Sequence, residues 1–280
     1  MKYFTVIFGS NSFSGHYLSS FFSKKKLKVL GIYRTKKKHS LNTTQKKIDL
    51  TKAINLKVES NSLVIIASIH KIEDFKKNEV KNYQNNILIV KNAIQFAKSN
   101  NIRNIIYFST IDINSTKLPK LKKRYILSKK NSEKILTNAY KKGIFKKLII
   151  LRLPAIIGKN CNSNFLVTLL NNLKLNKKVK LWNHNRIYKN FIHIEELCKL
   201  LYFLIKSKKL KFRIIECQNN GGKTLIELVN YAKNKINSMS TIVFENSKIP
   251  SKIKYFNKIK SFKFKNNIFY FKKFLEQFKF

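Results

Sequence analysis

Apolar runs alternate with helical patterns along the first half of the chain. YFTVIF (3–8) and LKVLGIY (27–33) predict strands, and HYLSSFFSKKK between them continues as a helix. KKIDL (46–50) predicts a short strand. SLVIIAS (62–68) is a continuous apolar run, the pattern of a strand buried on both faces. NNILIVKNAIQFAKSNN (85–101) has apolar residues at helical spacing. IRNIIYFST (102–110) predicts a strand, YILSKKNSEKILTNAYKK (125–142) a helix, and KKLIILRLP (146–154) a strand. This β-α-β alternation predicts an α/β fold with a parallel, doubly wound sheet.

After Pro154 the rhythm changes. FLVTLLNNLKL (165–175) and HIEELCKLLYFLIKS (193–207) predict helices, and FRIIECQ (212–218) predicts a strand. NNGGKTLIELVNYAKNKI (219–236) predicts a turn and a helix. Thr224 is its N-cap, and Glu227 three residues on completes a capping box. The last segment, KIKYFNKIKSFKFKNNIFYFKKFLEQFKF, interleaves Lys with aromatics; of a basic amphipathic membrane-surface element and a terminal helix packed on its own domain, the second is expected. The expected organisation is a dinucleotide-binding domain over 1–154 and a smaller C-terminal lobe over 155–280, interleaved with the first.

The chain has 280 residues, 44% of them hydrophobic, enough for a large core. No run of about 18 apolar residues predicts a membrane span. The N-terminus runs straight into a strand without a cleavable signal pattern, so a cytoplasmic protein is expected. Three cysteines without CxxC spacing, and five histidines without paired spacing, point to neither a disulfide framework nor a metal site. The net charge of +46 invites a nucleic-acid reading. However, 53 lysines stand against six arginines, spread in short runs with no single basic arm. Arginine is the side chain that reads bases and forks phosphates, so no specific nucleic-acid partner is expected.

VIFGSNSFSGHYLSSFF (6–22) follows a strand and opens a helix, which is the context for a phosphate-cradling turn. Gly9 suits the tight turn and Gly15 the close helix packing, with Asn11, Ser12, Phe13 and Ser14 between them. Ser12 stands where a middle glycine is usual. Tyr125 and Lys129 form a YxxxK pair on one helix face, where a lysine ammonium lowers the pKa of a phenol. Ser109 and Thr110 end the preceding strand, at the edge where a parallel sheet meets its ligand. A hydroxyl there could hold a substrate oxygen beside Tyr125.

Together these segments resemble the extended short-chain dehydrogenases/reductases, specifically the NAD-dependent epimerase/dehydratase family that acts on nucleotide sugars. The resemblance covers nearly the whole chain. It implies a Rossmann-like doubly wound sheet with a smaller substrate lobe, and Thr110, Tyr125 and Lys129 as catalytic groups. KKIDLTK implies an adenine contact at Asp49 with Leu50. LVIIASIH implicates Ala67 and Ser68 under the cofactor, and LRLPAIIGKN places Leu153 and Pro154 beside the nicotinamide. RIYKNFIHIEEL implies a substrate segment that includes His193 and Glu196. Arg186 and Lys189 are candidates for the diphosphate. The resemblance further implies a homodimer paired through helices of the first lobe.

Two departures bear on the chemistry. Fourteen residues separate Thr110 from Tyr125, a shorter loop than the family commonly carries. Ile111 and Asp112 follow Thr110, which disfavours a 4,6-dehydratase and leaves an epimerase or a keto-sugar reductase. The short loop keeps a non-catalytic dinucleotide-binding member of the same fold as the alternative. At the end of the second strand stands Tyr33-Arg34, with no acidic residue to bind a ribose 2′-hydroxyl. Arg34, backed by Lys36 to Lys38, suits a 2′-phosphate, so of NADP(H) and NAD(H) the expectation leans to NADP(H).

Overall fold

The computed structural model describes residues 2–35, 43–69, 72–115, 122–245, 259 and 261–278. In chain order the elements are β1 (Lys2–Tyr3), β2 (Thr5–Phe8), α1 (Phe13–Lys24), β3 (Val29–Tyr33), β4 (Thr44–Lys47), β5 (Glu59–Ser60), β6 (Ser62–Ile65), α2 (Ile72–Lys77) and α3 (Glu79–Ser99). Next come β7 (Asn104–Thr110), a 3-10 turn (Ile111–Asn114), α4 (Lys123–Lys141), β8 (Lys147–Leu153), β9 (Ala155–Ile157), α5 (Phe165–Lys174), β10 (Val179–Trp182) and β11 (Phe191–His193). The chain closes with α6 (Ile194–Lys206), β12 (Phe212–Glu216), α7 (Leu225–Lys235), β13 (Ile242–Glu245) and α8 (Asn267–Gln277).

Seven strands form one sheet in the order β12-β8-β7-β6-β2-β3-β4. The pairs β12/β8, β7/β6, β6/β2, β2/β3 and β3/β4 are all parallel. The central strands are solid apolar runs because both faces are covered. All four residues of β2 and of β6 are buried. The strand order turns back between β2 and β6, so the crevice at their carboxyl ends is where a ligand of such a sheet binds. The doubly wound α/β fold expected from the periodicity is the fold observed.

One expectation needs correcting. The strand expected over 46–50 runs over Thr44–Lys47 instead. It is the sheet edge, so its polar TQKK face meets solvent, and lysines there discourage pairing with another chain. The apolar residues that suggested a strand, Ile48 and Leu50, pack on the core just beyond it.

The chain divides into two compact units. The first comprises residues 1–152, 198–216 and 253–258, and the second comprises 153–197, 217–252 and 259–280. The first holds the sheet, with a core of Val6, Phe8, Leu30, Ile65, Phe96 and Ile150 among others. The second has its own core, in which Leu170, Phe191, Leu228, Phe271 and Phe274 are fully or nearly buried. There α7 begins with the expected capping box, Thr224 and Glu227 each satisfying the other's backbone N–H. The terminal helix expected on its own domain is α8, which buries Tyr270, Phe271, Phe274 and Leu275 in that core. Among the described residues no helix is long and apolar enough to cross a membrane.

Candidate functional site

The turn after β2 has the geometry its glycines require. Gly9 sits at φ +92°, and a Cβ there would lie 2.8 Å from the Ala67 backbone nitrogen. A Cβ at Gly15 would lie 2.2 Å from the Gly9 carbonyl oxygen and 2.7 Å from Ser10 Cα. The first position therefore needs glycine for its backbone conformation, and the second because helix α1 rests directly on the turn. Ser12, in place of a third glycine, is the N-cap of α1. Its hydroxyl accepts from the Gly15 N–H at 3.1 Å and donates to the Gly9 carbonyl at 2.8 Å. Asn11 and Ser12 lie partly buried in the turn, while Phe13 and Ser14 open the helix. Ser10 ties the turn to edge strand β4 through Gln45, at 2.8 Å. Gly15→Ala forces two backbone segments apart. It is expected to lower stability by about 1–3 kcal/mol, as overpacking does. Urea denaturation, with a dinucleotide titration alongside, checks both this loss and the weakened binding that should accompany it.

Across the crevice, the loop after β6 meets this turn. The Ala67 N–H donates to the Phe8 carbonyl at 2.9 Å, and the next residue, Ser68, hydrogen-bonds the Tyr125 phenol. Asn86 on α3 fixes that loop. It accepts from the Ile69 N–H at 2.8 Å and donates to the Ile69 carbonyl at 3.1 Å and to Ser128 Oγ at 3.1 Å. Ser128 in turn donates to the Tyr125 carbonyl at 2.7 Å. One buried amide thus joins the loop that carries Ser68 to the helix that carries Tyr125.

Tyr125 and Lys129 stand one turn apart on α4, which packs against β7 and the 3-10 turn. Lys129 is 2% exposed. Its Nζ donates to the Phe108 carbonyl at 2.8 Å, 4.8 Å from the Tyr107 ring centre and 5.9 Å from that of Tyr125. Burial pushes its pKa down to about 7, against the pull of the Glu133 carboxylate. Burial and the Asp112 carboxylate push the Tyr125 phenol upward, so it stays protonated at neutral pH. The ring is braced edge-on by Phe75, with centres 5.9 Å apart.

The two hydroxyls at the end of β7 part company. Thr110 caps the 3-10 turn, accepting from the Asp112 N–H at 3.2 Å, which leaves its O–H able to donate. Ser109, expected to face cofactor or substrate, donates instead to Glu133 Oε1 at 2.5 Å inside the protein. Its side chain belongs to a buried ion network. Arg152 forks Glu133, with Nε at 3.1 Å and Nη2 at 2.8 Å. The Arg152 Nη1 reaches Asn114 Oδ1 at 2.9 Å and Glu216 Oε1 at 3.3 Å. Asn114 closes the ring by donating to Glu216 at 2.6 Å. Asn86, Asn114, Glu133, Arg152 and Glu216 were not expected from the sequence. Glu133 alone had a local signal, because it extends the Tyr125–Lys129 stripe by another turn.

Beyond edge strand β4, Asp49 Oδ1 accepts from the Thr51 N–H at 3.0 Å and the Thr51 hydroxyl at 2.8 Å. The Thr51 hydrogen bonds, with the nearby Arg34 charge, hold the carboxyl below its usual range. Leu50 is a core side chain, and its carbonyl accepts from Asn92 at 2.9 Å. Arg34 is exposed just past β3, and Lys36 to Lys38 lie outside the described residues.

The remaining expected residues belong to the second unit. Leu153 ends β8, and buried Pro154 links it to β9. Arg186 is exposed and Lys189 partly buried. His193, a candidate for the substrate segment, is a core side chain. It is 1% exposed, its ring lies parallel to Tyr270 with centres 4.8 Å apart, and burial pushes its pKa down to about 4. The buried Glu196 accepts from the Lys265 N–H at 2.6 Å. Among the described residues no three His, Cys, Asp or Glu side chains gather as metal ligands do.

No curated protein matches the sequence. Solved structures do match in shape. The UDP-glucose 4-epimerase of Thermotoga maritima with UDP-glucose has a TM-score of 0.80 at 11% identity, over 99% of this chain and 98% of that one. The UDP-N-acetylglucosamine 4-epimerase of Methanobrevibacter ruminantium, in complex with UDP-N-acetylmuramic acid, has a TM-score of 0.77 at 18% identity, over 99% and 98%. The UDP-glucose 4-epimerase of Thermus thermophilus, in complex with NAD, has a TM-score of 0.69 at 14% identity, over 92% and 90%. At such identities these likenesses bear on the fold. The family model for the NAD dependent epimerase/dehydratase family matches residues 5–217, three quarters of the chain. With that match joined to the glycine-rich turn and the YxxxK helix, the chain belongs to the NAD-dependent epimerase/dehydratase family.

Proposed function

We propose that this protein is an NAD(P)-dependent nucleotide-sugar epimerase or keto-sugar reductase in which Tyr125 moves the proton. The observation that supports the reading is the contact of Tyr125 with the loop that follows β6, a strand at the sheet's switch point. Its phenol is hydrogen-bonded to the β6 loop, with Lys129 buried one turn behind it. The cradle fits a dinucleotide: Gly9 and Gly15 are closed to any Cβ, and the N-terminus of α1, with its partial positive charge, opens on the turn. Gly9, Ser12 and Gly15 would hold the pyrophosphate, Asp49 the adenine, and Ala67 and Ser68 the face beneath the nicotinamide ribose. Bound there, a nicotinamide dinucleotide supplies the hydride donor and acceptor.

Around the reacting oxygen the chain does the rest. The protonated Tyr125 phenol donates to a sugar ketone oxygen in the reducing direction, and Thr110 donates a second hydrogen bond to that oxygen. In the reverse direction the phenol must lose its proton first. The Lys129 ammonium favours that loss, opposing the burial that keeps the phenol neutral. The UDP-sugar ligands of the similarly folded enzymes support a nucleotide sugar as substrate, with Arg186 and Lys189 as diphosphate partners.

For the cofactor, Arg34 favours NADP(H), since a 2′-phosphate gives its guanidinium a second anion besides Asp49. A fluorescence titration with NADPH and with NADH tests this. The expected result is tighter NADPH binding, reduced about tenfold in Arg34→Ala while NADH is unaffected, as for one lost charge-assisted hydrogen bond. A preference for NADH overturns the Arg34 reading, and binding of neither overturns the dinucleotide site.

A further inference from the structure

We propose that Glu133 is a positioning residue for the Tyr125–Lys129 pair, joining the helix that carries them to the strand ends around it through a buried ion network. This inference rests on the proposed function and extends it to groups that touch neither substrate nor cofactor.

The geometry is specific. Tyr125, Lys129 and Glu133 lie at successive fourth positions on α4 and so share one face. Glu133 is 6% exposed, and both its oxygens are spoken for. Oε1 accepts from Ser109 Oγ at 2.5 Å and Arg152 Nε at 3.1 Å, and Oε2 accepts from Arg152 Nη2 at 2.8 Å. Ser109 precedes Thr110, so one carboxylate ties the tyrosine helix to the hydroxyl end of β7. Through Arg152 on β8 the same carboxylate reaches Asn114, the last residue of the 3-10 turn, and Glu216 on β12. That turn also carries Asp112, whose charge faces Tyr125. Five elements, α4, β7, the 3-10 turn, β8 and β12, are therefore tied by one ring of contacts.

The network also has a charge. Two carboxylates share one guanidinium, leaving a net negative charge of one inside the protein. A buried ion pair of this kind is a weak device for stability, because desolvation offsets the attraction. It is a strong device for fixing geometry and for setting the charge of a neighbour. The neighbour here is Lys129, whose ammonium Glu133 favours against burial. The other groups facing that ammonium are the Phe108 carbonyl and the Tyr107 ring from β7, and Tyr125 on its own helix. Arg152 reaches Glu133 from β8, and Asn86 of α3, which joins α4 at Ser128, is neutral.

The test reads Lys129 itself and needs no substrate. The Nζ of Lys129 is followed by NMR through a pH titration of the full-length protein labelled with 15N-lysine. Its signal is assigned by its absence from Lys129→Met. Glu133→Gln keeps the shape and removes the charge, and it is expected to lower the Lys129 midpoint by about one pH unit. An unchanged midpoint in a folded Glu133→Gln protein overturns the proposal and leaves Glu133 with a purely structural role. Should that variant fail to fold, Glu133→Asp draws the carboxylate back by one methylene and is expected to move the midpoint in the same direction by less. No movement there overturns the proposal equally. A shifted midpoint in a protein that turns over no sugar nucleotide supports the proposal while faulting the proposed function, so the two fail separately.

Discussion

Tyr125→Phe lowers turnover by about 10²- to 10⁴-fold, the range a positioned acid–base group contributes, and leaves dinucleotide binding nearly intact. The separation follows from the structure. The phenol oxygen hydrogen-bonds Ser68, whereas the ring is held by Phe75 at 5.9 Å and by the helix. Phe keeps the ring contacts and loses one hydrogen bond, a change worth about 1 kcal/mol of stability. Gly9, Ser12 and Gly15, the proposed pyrophosphate cradle, are untouched. Steady-state rates and a dinucleotide titration on the same preparation check the pair of outcomes. Loss of binding equal to the loss of rate would point to a damaged fold or a wrongly assigned tyrosine.

Lys129→Met is expected to abolish turnover and yet raise stability. Lys129 has its pKa pushed from 10.5 to about 7 by burial. At 1.36 kcal/mol for each pH unit, that displacement costs the fold on the order of 5 kcal/mol where both folded and unfolded lysine are charged. Against this, Met loses the bond to the Phe108 carbonyl, and leaving that buried acceptor unmet costs about 1–3 kcal/mol. The desolvation cost is the larger, so a net gain of roughly 3 kcal/mol is expected at pH 6. The pH dependence carries the sign. Below pH 7 lysine is protonated in both folded and unfolded chains, and the whole penalty falls on the fold. Between about 7 and 10.5 the unfolded chain binds the extra proton, so the parent protein gains stability as pH rises and the advantage of Met fades. Urea denaturation of both proteins at pH 6 and pH 9.5 measures it. A Met variant less stable at pH 6 means that the Phe108 contact outweighs the cost of burial.

The parts of this molecule that could be read from sequence are those where one local pattern has one physical solution. The apolar run at 62–65 could only be a strand covered on both faces, and Thr224 with Glu227 could only satisfy each other at a helix start. Gly9 and Gly15 announced a turn that no Cβ can enter. The edge strand was displaced because edges need no apolar pattern, and the nearest one belonged to the core contact beyond it. His193 stands just before an apolar helix, and its flat imidazole stacks on Tyr270 inside a core. The ion network was not legible because its partners lie 19, 24, 64 and 102 residues apart. In a chain with 59 basic residues, one arginine facing two carboxylates leaves no local mark.

The most direct measurement incubates the purified protein, supplied with NADPH or NAD, with UDP-glucose, UDP-N-acetylglucosamine and a 4-keto nucleotide sugar, and follows the sugar by NMR. Inversion or reduction at one sugar carbon is expected in the parent protein, slowed by about 10²-fold or more in Tyr125→Phe. Sugar nucleotides left unchanged by a protein that binds dinucleotide would contradict it, leaving a binding module on an enzyme's fold.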